Sequence, residues 1–562
     1  MLPGLPPFGR HVQHLRRYQQ IARVLIRHGF DNVVEQLGLL TRLALPWRVS
    51  ERVRPIAPLT PAEHLRLAIE ELGPTFVKLG QMLSTRPDLL PPAYLHELSK
   101  LRDEVPPFPS EQARAIVEAE LGAPIDQLFR SFDEKVLAAA SLGQVHGAVL
   151  PDGSEVVVKV LRPNIRRIVE VDLDILYDMA RLAEERTAFG RMYAFTELAD
   201  EFTATLRAEM DYVREARNAE RFRRNFAGRP EVYIPRVYWD YTTHDVLTLE
   251  RIRGVKIDDV EGLRAAGLDP RTVALHAIDL IMQETFVDGF FHADPHPGNF
   301  FVMEDNVIGA MDFGMVGYLD KRTKEQLLRL FLAVMSRDPD QIVGELVRMD
   351  MVGASVDHRR LGRDLGRFLE RYWGAPLKDL RLRDLFEDFL PIAFRHRLRL
   401  PSNLWLLAKT LVMMEGTGML LYPELDVFEI ARPYAEQALR EMNAPAAWVG
   451  RLGTTLRDWG ELWQELPQYL PRLLDQLQKG EFTLSHIQRD QERALARWDR
   501  MVNRLSVALI ISALIVGIGL IFPTAAARWP AWVGTVMVAL GFFLAVGASL
   551  WLLWSLWRAG RR

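Results

Sequence analysis

Two stretches near the end of the chain carry no charge: residues 505–522, LSVALIISALIVGIGLIF, and residues 531–554, AWVGTVMVALGFFLAVGASLWLLW. No other feature narrows the possible folds so sharply. In hydrocarbon every backbone amide must find its partner within the protein, and a single run can do so only as a helix. At about 1.5 Å per residue, runs of this length match or nearly match a hydrocarbon core of about 30 Å. The connector 523–530 is short, and its one charge is Arg528. The pair therefore reads as a transmembrane helical hairpin in preference to a buried hairpin of a soluble core. Arg493, Arg497, Arg500 and Arg504 precede it, and Arg558, Arg561 and Arg562 follow it. The positive-inside rule then places both ends in the cytoplasm. Trp529, Trp532, Trp551, Trp554 and Trp557 stand where interfacial aromatics belong.

The rest of the chain has the composition of a folded protein. Of 562 residues, 49% are hydrophobic and 25% charged, which excludes a disordered or collagen-like chain. A net charge of −3 argues against a nucleic-acid partner. The absence of cysteine removes disulfides, thiolate metal sites and cysteine nucleophiles together. Only 10 of the 70 basic residues are lysines. Against that arginine-rich background, a retained lysine marks a place where a compact ammonium matters. The first ten residues have no apolar run behind a basic start, so a cleaved signal peptide is not expected.

Hydrophobic spacing organises the remainder. Leu65, Ile69, Leu72, Phe76, Leu79 and Leu83 recur at intervals of three and four, an amphipathic helical stripe. Near residue 131 the pattern changes. Residues 144–150 and 155–161 read as two strands joined at Pro151-Asp152-Gly153, and residues 246–250 as another. The expected class is α+β with two lobes. The expected divisions are a helical extension over 1–125, a sheet-bearing lobe over 126–255, a helical lobe over 256–450, a connector over 451–503 and the membrane helices over 504–556.

Chemistry concentrates in His292-Ala293-Asp294-Pro295-His296-Pro297-Gly298-Asn299 and in Asp312-Phe313-Gly314, eighteen residues beyond Asp294. H-x-D-x-x-x-x-N followed by D-F-G is the catalytic and metal-binding pair of loops in protein kinases. A loop Asp can accept the proton of an attacking hydroxyl, while the oxygens of Asn299 and Asp312 can hold Mg²⁺ between phosphates. A D-F-G alone is a weak signal, but at this interval from the first loop it is specific. Lys159, in Val156-Val157-Val158-Lys159, matches the strand lysine that meets ATP phosphates. About fifteen residues earlier, where a kinase has its glycine-rich loop, stand Ala138, Ala139, Ala140 and Ser141. Alanine does not freely adopt φ > 0. A stiffer, differently shaped loop is expected, which argues against ordinary protein phosphorylation. Lys159 needs an acidic partner, and Glu209, Asp211 and Glu215 are candidates. Asp211 and Glu215, four residues apart, would direct two carboxylates into one site. Glu250, ending the strand 246–250, is assigned to the nucleotide as well.

In order along the chain, these residues resemble the UbiB family of atypical, protein-kinase-like proteins linked to ubiquinone biosynthesis. Lys78-Leu79-Gly80-Gln81 resembles its K-x-G-Q motif, residues 138–141 its alanine-rich loop, and Glu209-Met210-Asp211 its E-x-D motif. Glu215 resembles the helix glutamate that pairs with the strand lysine. The resemblance covers about residues 60–440. It implies a bilobal kinase-like fold with an N-terminal helical extension over the nucleotide site. It also implies ATP and Mg²⁺ as cofactors, and Lys78, Gln81, Glu209 and Asp211 as regulatory residues that close the entry for protein substrates. Asp294, Lys159 and Glu215 take the catalytic roles. The expected location is the bacterial inner membrane, with the kinase-like part cytoplasmic.

Three functions are then open: an ATPase supporting ubiquinone or isoprenoid-lipid synthesis, a kinase of a small molecule, lipid or protein, and a nucleotide-binding scaffold. The expected partners are ATP or ADP, anionic lipids, quinone precursors and proteins of ubiquinone biosynthesis.

Overall fold

Prolines and caps set out the N-terminal helices. These are α1 (Pro7–Arg27), α2 (Asp31–Gln36), α3 (Pro61–Leu72), α4 (Pro74–Ser84), α5 (Pro92–Leu98), α6 (Ser110–Leu121) and α7 (Ile125–Leu128). Thr60 and Glu63 form a reciprocal capping box at the start of α3, with Pro61 at its first position. The computed structural model describes residues 7–37, 59–84, 86, 89–101, 105–187, 195–336, 338–353, 356–372, 381–398 and 401–443. The chain divides into two compact units, Met1–Arg451 and Leu452–Arg562, and the described residues belong to the first. The connector 451–503 and both uncharged runs lie outside them.

The first sheet has the order β1 (Ser131–Ala139), β2 (Gly143–Val149), β3 (Glu155–Leu161), β5 (Val246–Glu250), all antiparallel. Its central strand β3 reads as continuously apolar because both faces are covered. Val156, Val158 and Val160 pack with Phe108, Ala113 and Val117 of the α6 side. Val157 and Leu161 belong to the opposite core. By the two-residue period of a strand, Lys159 shares that second face.

That face meets α8 (Ile165–Arg186), α9 (Phe195–Glu209) and α10 (Tyr212–Asn225). A second sheet has the order β4 (Val232–Tyr233), β9 (Ile308–Ala310), β8 (Phe300–Val302), β6 (Val255–Lys256). β4 runs parallel to β9, so residues from before position 255 enter the sheet that carries the loop strands. After α11 (Val260–Ala265), α12 (Pro270–Met282) continues into one π-helical turn, Gln283–Asp288. It leads to β7 (Phe290–His292), which pairs with β10 (Val316–Tyr318).

The helices α13 (Lys321–Met335), α14 (Pro339–Arg348), α15 (His358–Arg371), α16 (Leu382–Arg395), α17 (Ser402–Leu421) and α18 (Val427–Asn443) complete the unit. Among the described residues, one helix, Asn403–Leu421, is long and apolar enough to cross a membrane. Its Leu404 and Leu407 join one core and its Met414 and Leu421 the other, so it forms a wall shared between two cores.

Candidate functional site

Lys159 points from β3 toward α10. Its Nζ donates to both oxygens of Glu215, at 2.9 and 3.0 Å, and lies 3.5 Å from Asp312 Oδ2. Glu215 is 3% exposed. The fold thus chooses Glu215 among the three acids. Asp211 does not join it, contrary to the expectation of two carboxylates in one site. Asp211 is the N-cap of α10, outside helical geometry, and its carboxylate accepts from the Val213 and Arg214 amides. The same carboxylate meets His244 at 2.8 Å. Glu209, at the end of α9, instead takes Lys78 of α4, at 2.9 Å with both side chains largely buried. Gln81 donates to the Leu101 carbonyl. Gly80 allows this packing, since a Cβ there would stand 2.4 Å from the Leu101 side chain.

The alanine segment is more strand than loop. Ala138 and Ala139 belong to β1, opposite Val145 and Gln144. Only residues 140–142 turn, closed by the Ala140 amide donating to Gly143 O at 2.8 Å. Extended backbone suits alanine, whereas a wide glycine-type loop does not. Glu250 stands apart from this cluster. It is level with Val156 on β3, and its carboxylate accepts from Tyr233 and from the Arg236 amide.

Asp294 and Asn299 lie on the loop after β7. His292, 1% exposed, anchors that loop. Its Nδ1 accepts from the Asp294 amide and its Nε2 faces Met311 O at 3.3 Å, a pattern that requires the Nε2–H tautomer. Asn299 donates its amide Nδ2 to the Asp294 carbonyl, so Oδ1 is the atom that can serve as a ligand. The β8–β9 pairing ends with the Met311 amide donating to Asn299 O, which brings Asn299 alongside Asp312. Phe313, fully buried, packs on Phe222 of α10 and on His292. Asn218 of α10 donates to Phe313 O. The helix bearing Glu215 is thereby docked on the Asp312 segment.

Asp312 adopts φ +60°, a left-handed conformation that aspartate tolerates better than most residues. Partial desolvation acts to raise its pKa, but Lys159 first, then the Gly314 amide and Lys78, hold it below the ordinary value. Burial pushes Glu215 up, to about 7, against the pull of Lys159, with the charge of Asp312 adding to the rise. Burial opposes the charge on Lys159, yet Asp312 and Glu215 together keep its pKa well above normal. The site is therefore a cation between two acids, with one acid half-exposed.

One residue of the site escaped sequence reasoning. Lys409 of α17 places Nζ 3.1 Å from Asp294 Oδ1. Beside it, Thr410 donates to His292 O. Lys409 is one of the ten lysines, and that scarcity was the available signal. Among the described residues, Lys78, Lys159 and Lys409 occupy this region.

The donor set suits a hard divalent cation, since Asp312 and Asn299 Oδ1 offer only oxygens. Among the described residues no group of three or more His, Asp or Glu forms a complete metal cage. Mg²⁺ is commonly held by one or two carboxylates together with substrate phosphates.

Residues 100–346 match the ABC1 atypical kinase-like domain, 365–426 the UbiB helical domain, and 489–558 the ABC1/UbiB kinase-like C-terminal domain. The chain is 38% identical over 502 residues to a protein of Marinobacter nauticus described as "Probable protein kinase UbiB", covering 86% of this chain and 91% of that one. It is 36% identical over 539 residues to a protein of the same description from Pseudomonas paraeruginosa, covering 94% and 98%. Among solved structures, the Rv3197–erythromycin complex from Mycobacterium tuberculosis aligns with a TM-score of 0.47 at 21% identity, over 63% of this chain and 90% of that one.

Proposed function

Because the chain belongs to the UbiB family of atypical kinase-like proteins, which implies a role in ubiquinone biosynthesis, we propose that it is a membrane-anchored, Mg-ATP-dependent ATPase serving that pathway. The observation that carries this reading is the cluster of Lys159, Glu215 and Asp312 within 3.5 Å. Lys159, held in place by Glu215, binds phosphate oxygens. Asp312 and Asn299 would hold Mg²⁺, which supplies neutralisation of phosphate charge. Asp294, 40% exposed, orients an attacking water and accepts its proton. Lys409 positions Asp294 and brings a positive charge to where the phosphoryl group is transferred.

A further observation favours water or a small acceptor over a protein. Only residues 315–320 separate Gly314 from α13, and three of them form β10 against β7. A kinase activation loop occupies this place in enzymes that dock peptides. Lys78–Glu209 adds a closed contact between the extension and α9.

The test is phosphate release from Mg-ATP, with and without anionic liposomes, beside Asp312→Asn. Asparagine also tolerates φ > 0, so this variant removes charge and spares the fold. We expect release to fall by at least about 100-fold. Full activity in the variant rejects the site. Labelled lipid, small molecule or protein in place of free phosphate would identify a kinase, and binding without turnover a scaffold.

A further inference from the structure

Among the described residues, three buried donors around the alanine turn have no partner: Ser141 Oγ, Arg162 Nε and Tyr212 OH. Ser141 and Tyr212 are each 1% exposed. An unpaired buried donor carries the full desolvation penalty of its group, so folded proteins rarely leave one without a reason. Three at one turn mark a place built for a polar ligand.

Tyr212 is the most informative of them. It is the first residue of α10, directly after the cap Asp211 and three residues before Glu215. Lys159 Nζ lies 5.3 Å from its ring centroid. Its hydroxyl stands beneath the turn, where a Cβ built on Gly143 would approach it to 2.4 Å. That contact, together with Val160 O at 2.7 Å, explains why an otherwise alanine-rich segment keeps a glycine there. The hydroxyl is thus enclosed by the turn, the strand and the cation that meets phosphate. Burial raises its pKa, so it stays a protonated donor.

Resting on the nucleotide reading above, we propose that the Tyr212 hydroxyl donates a hydrogen bond to the phosphate chain of the bound nucleotide, with Ser141 Oγ as a second donor from the turn. The ligand class follows from the chemistry. A hydroxyl donor beside an ammonium, with a second hydroxyl on the neighbouring turn, calls for an acceptor that is anionic and has several oxygens. The turn is held by the Ala140 amide donating to Gly143 O and by Arg162, which donates its amide to Leu142 O and its guanidinium to Ala140 O, so admitting the phosphates means shifting residues 140–142 against Arg162. Because Tyr212 begins the helix carrying Glu215, occupancy of the phosphate site is transmitted to that helix and to its cap.

The test compares the full chain with Tyr212→Phe and Ser141→Ala in two measurements. These are the Tm of the nucleotide-free protein and the dissociation constant for Mg-ATP. An orphan hydroxyl makes no stabilising bond in the free protein, so Tyr212→Phe should keep or raise the nucleotide-free Tm. Its affinity for Mg-ATP should fall about 10-fold, with a smaller loss in Ser141→Ala. A lower nucleotide-free Tm in Tyr212→Phe shows that the hydroxyl already has a partner within the protein and overturns the proposal, as does wild-type affinity in that variant. A wild-type chain that binds no nucleotide overturns the nucleotide reading itself, and this inference with it.

Discussion

At the scale of single residues, the carboxyl of Glu284 stands out because no cation among the described residues meets it. It sits on the π-helical turn after α12, 3% exposed, and its Oε2 accepts the His292 amide at 3.0 Å. Burial drives its pKa well above the ordinary value, the His292 amide opposes this, and Asp288 adds to it. The folded chain therefore keeps a proton that the unfolded chain releases near 4.5. A group raised on folding contributes fully below its unfolded pKa and loses that contribution as pH rises through the folded one. Glu284→Gln keeps an acceptor for His292 without needing a proton. Its stability relative to wild type should grow from about pH 5 to about pH 8, reaching about 1 kcal/mol or more at the upper end. Denaturant melts across that range decide it, and a difference that is flat or shrinks with pH rejects the assignment. The same anchor orients the loop of Asp294, so this carboxyl ties the stability of β7 to the geometry of the Asp294–Asn299 loop.

At the scale of elements, the contact between α4 and α9 links the N-terminal extension to the site. Lys78 reaches Glu209, and its charge also helps to keep Asp312 ionised. If this pair is the latch that the family resemblance implies, the two residues must be energetically coupled. A double-mutant cycle of Lys78→Met and Glu209→Gln should give a coupling of about 1–3 kcal/mol in unfolding free energy. Additive effects within about 0.5 kcal/mol would mean that the pair is incidental. The elements also show what was legible in the sequence. Contiguous motifs carry their own geometry: the β2–β3 hairpin turns at Pro151-Asp152-Gly153, with Gly153 at φ +90°. The motif segments 292–299 and 312–314 come together because the short strands β8 and β9 leave them little choice. Choices between competing local chemistries were not legible. Asp211 became a cap because its side chain satisfies two helix amides, and the i, i+4 spacing with Glu215 does not register that competition. Lys409 is 115 residues from Asp294. Only the packing of α17 beneath β7 brings them together, and no local pattern encodes that approach.

At the scale of the whole molecule, the function proposed above requires a phosphate-handling site in a chain that a membrane holds. The two uncharged runs, 505–522 and 531–554, lie outside the described residues. The match of 489–558 to the ABC1/UbiB C-terminal domain covers both. Physical chemistry constrains them through the arginines on either side and the single arginine between. If the two runs span a membrane as the sequence predicts, with both ends held inside, the connector 523–530 emerges on the far side. The chain has no cysteine, so any introduced thiol is unique. Ala525→Cys lies in that connector, and Ser154→Cys follows the turn between β2 and β3. In intact spheroplasts an impermeant maleimide should label Cys at position 525 at once. Cys at position 154 should react only after the membrane is opened. Labelling of both positions in intact cells would place the kinase-like part outside. Labelling of neither before lysis would mean that the runs form an inward-facing or buried hairpin. The first pattern alone would leave the proposed nucleotide site on the side where ATP is found.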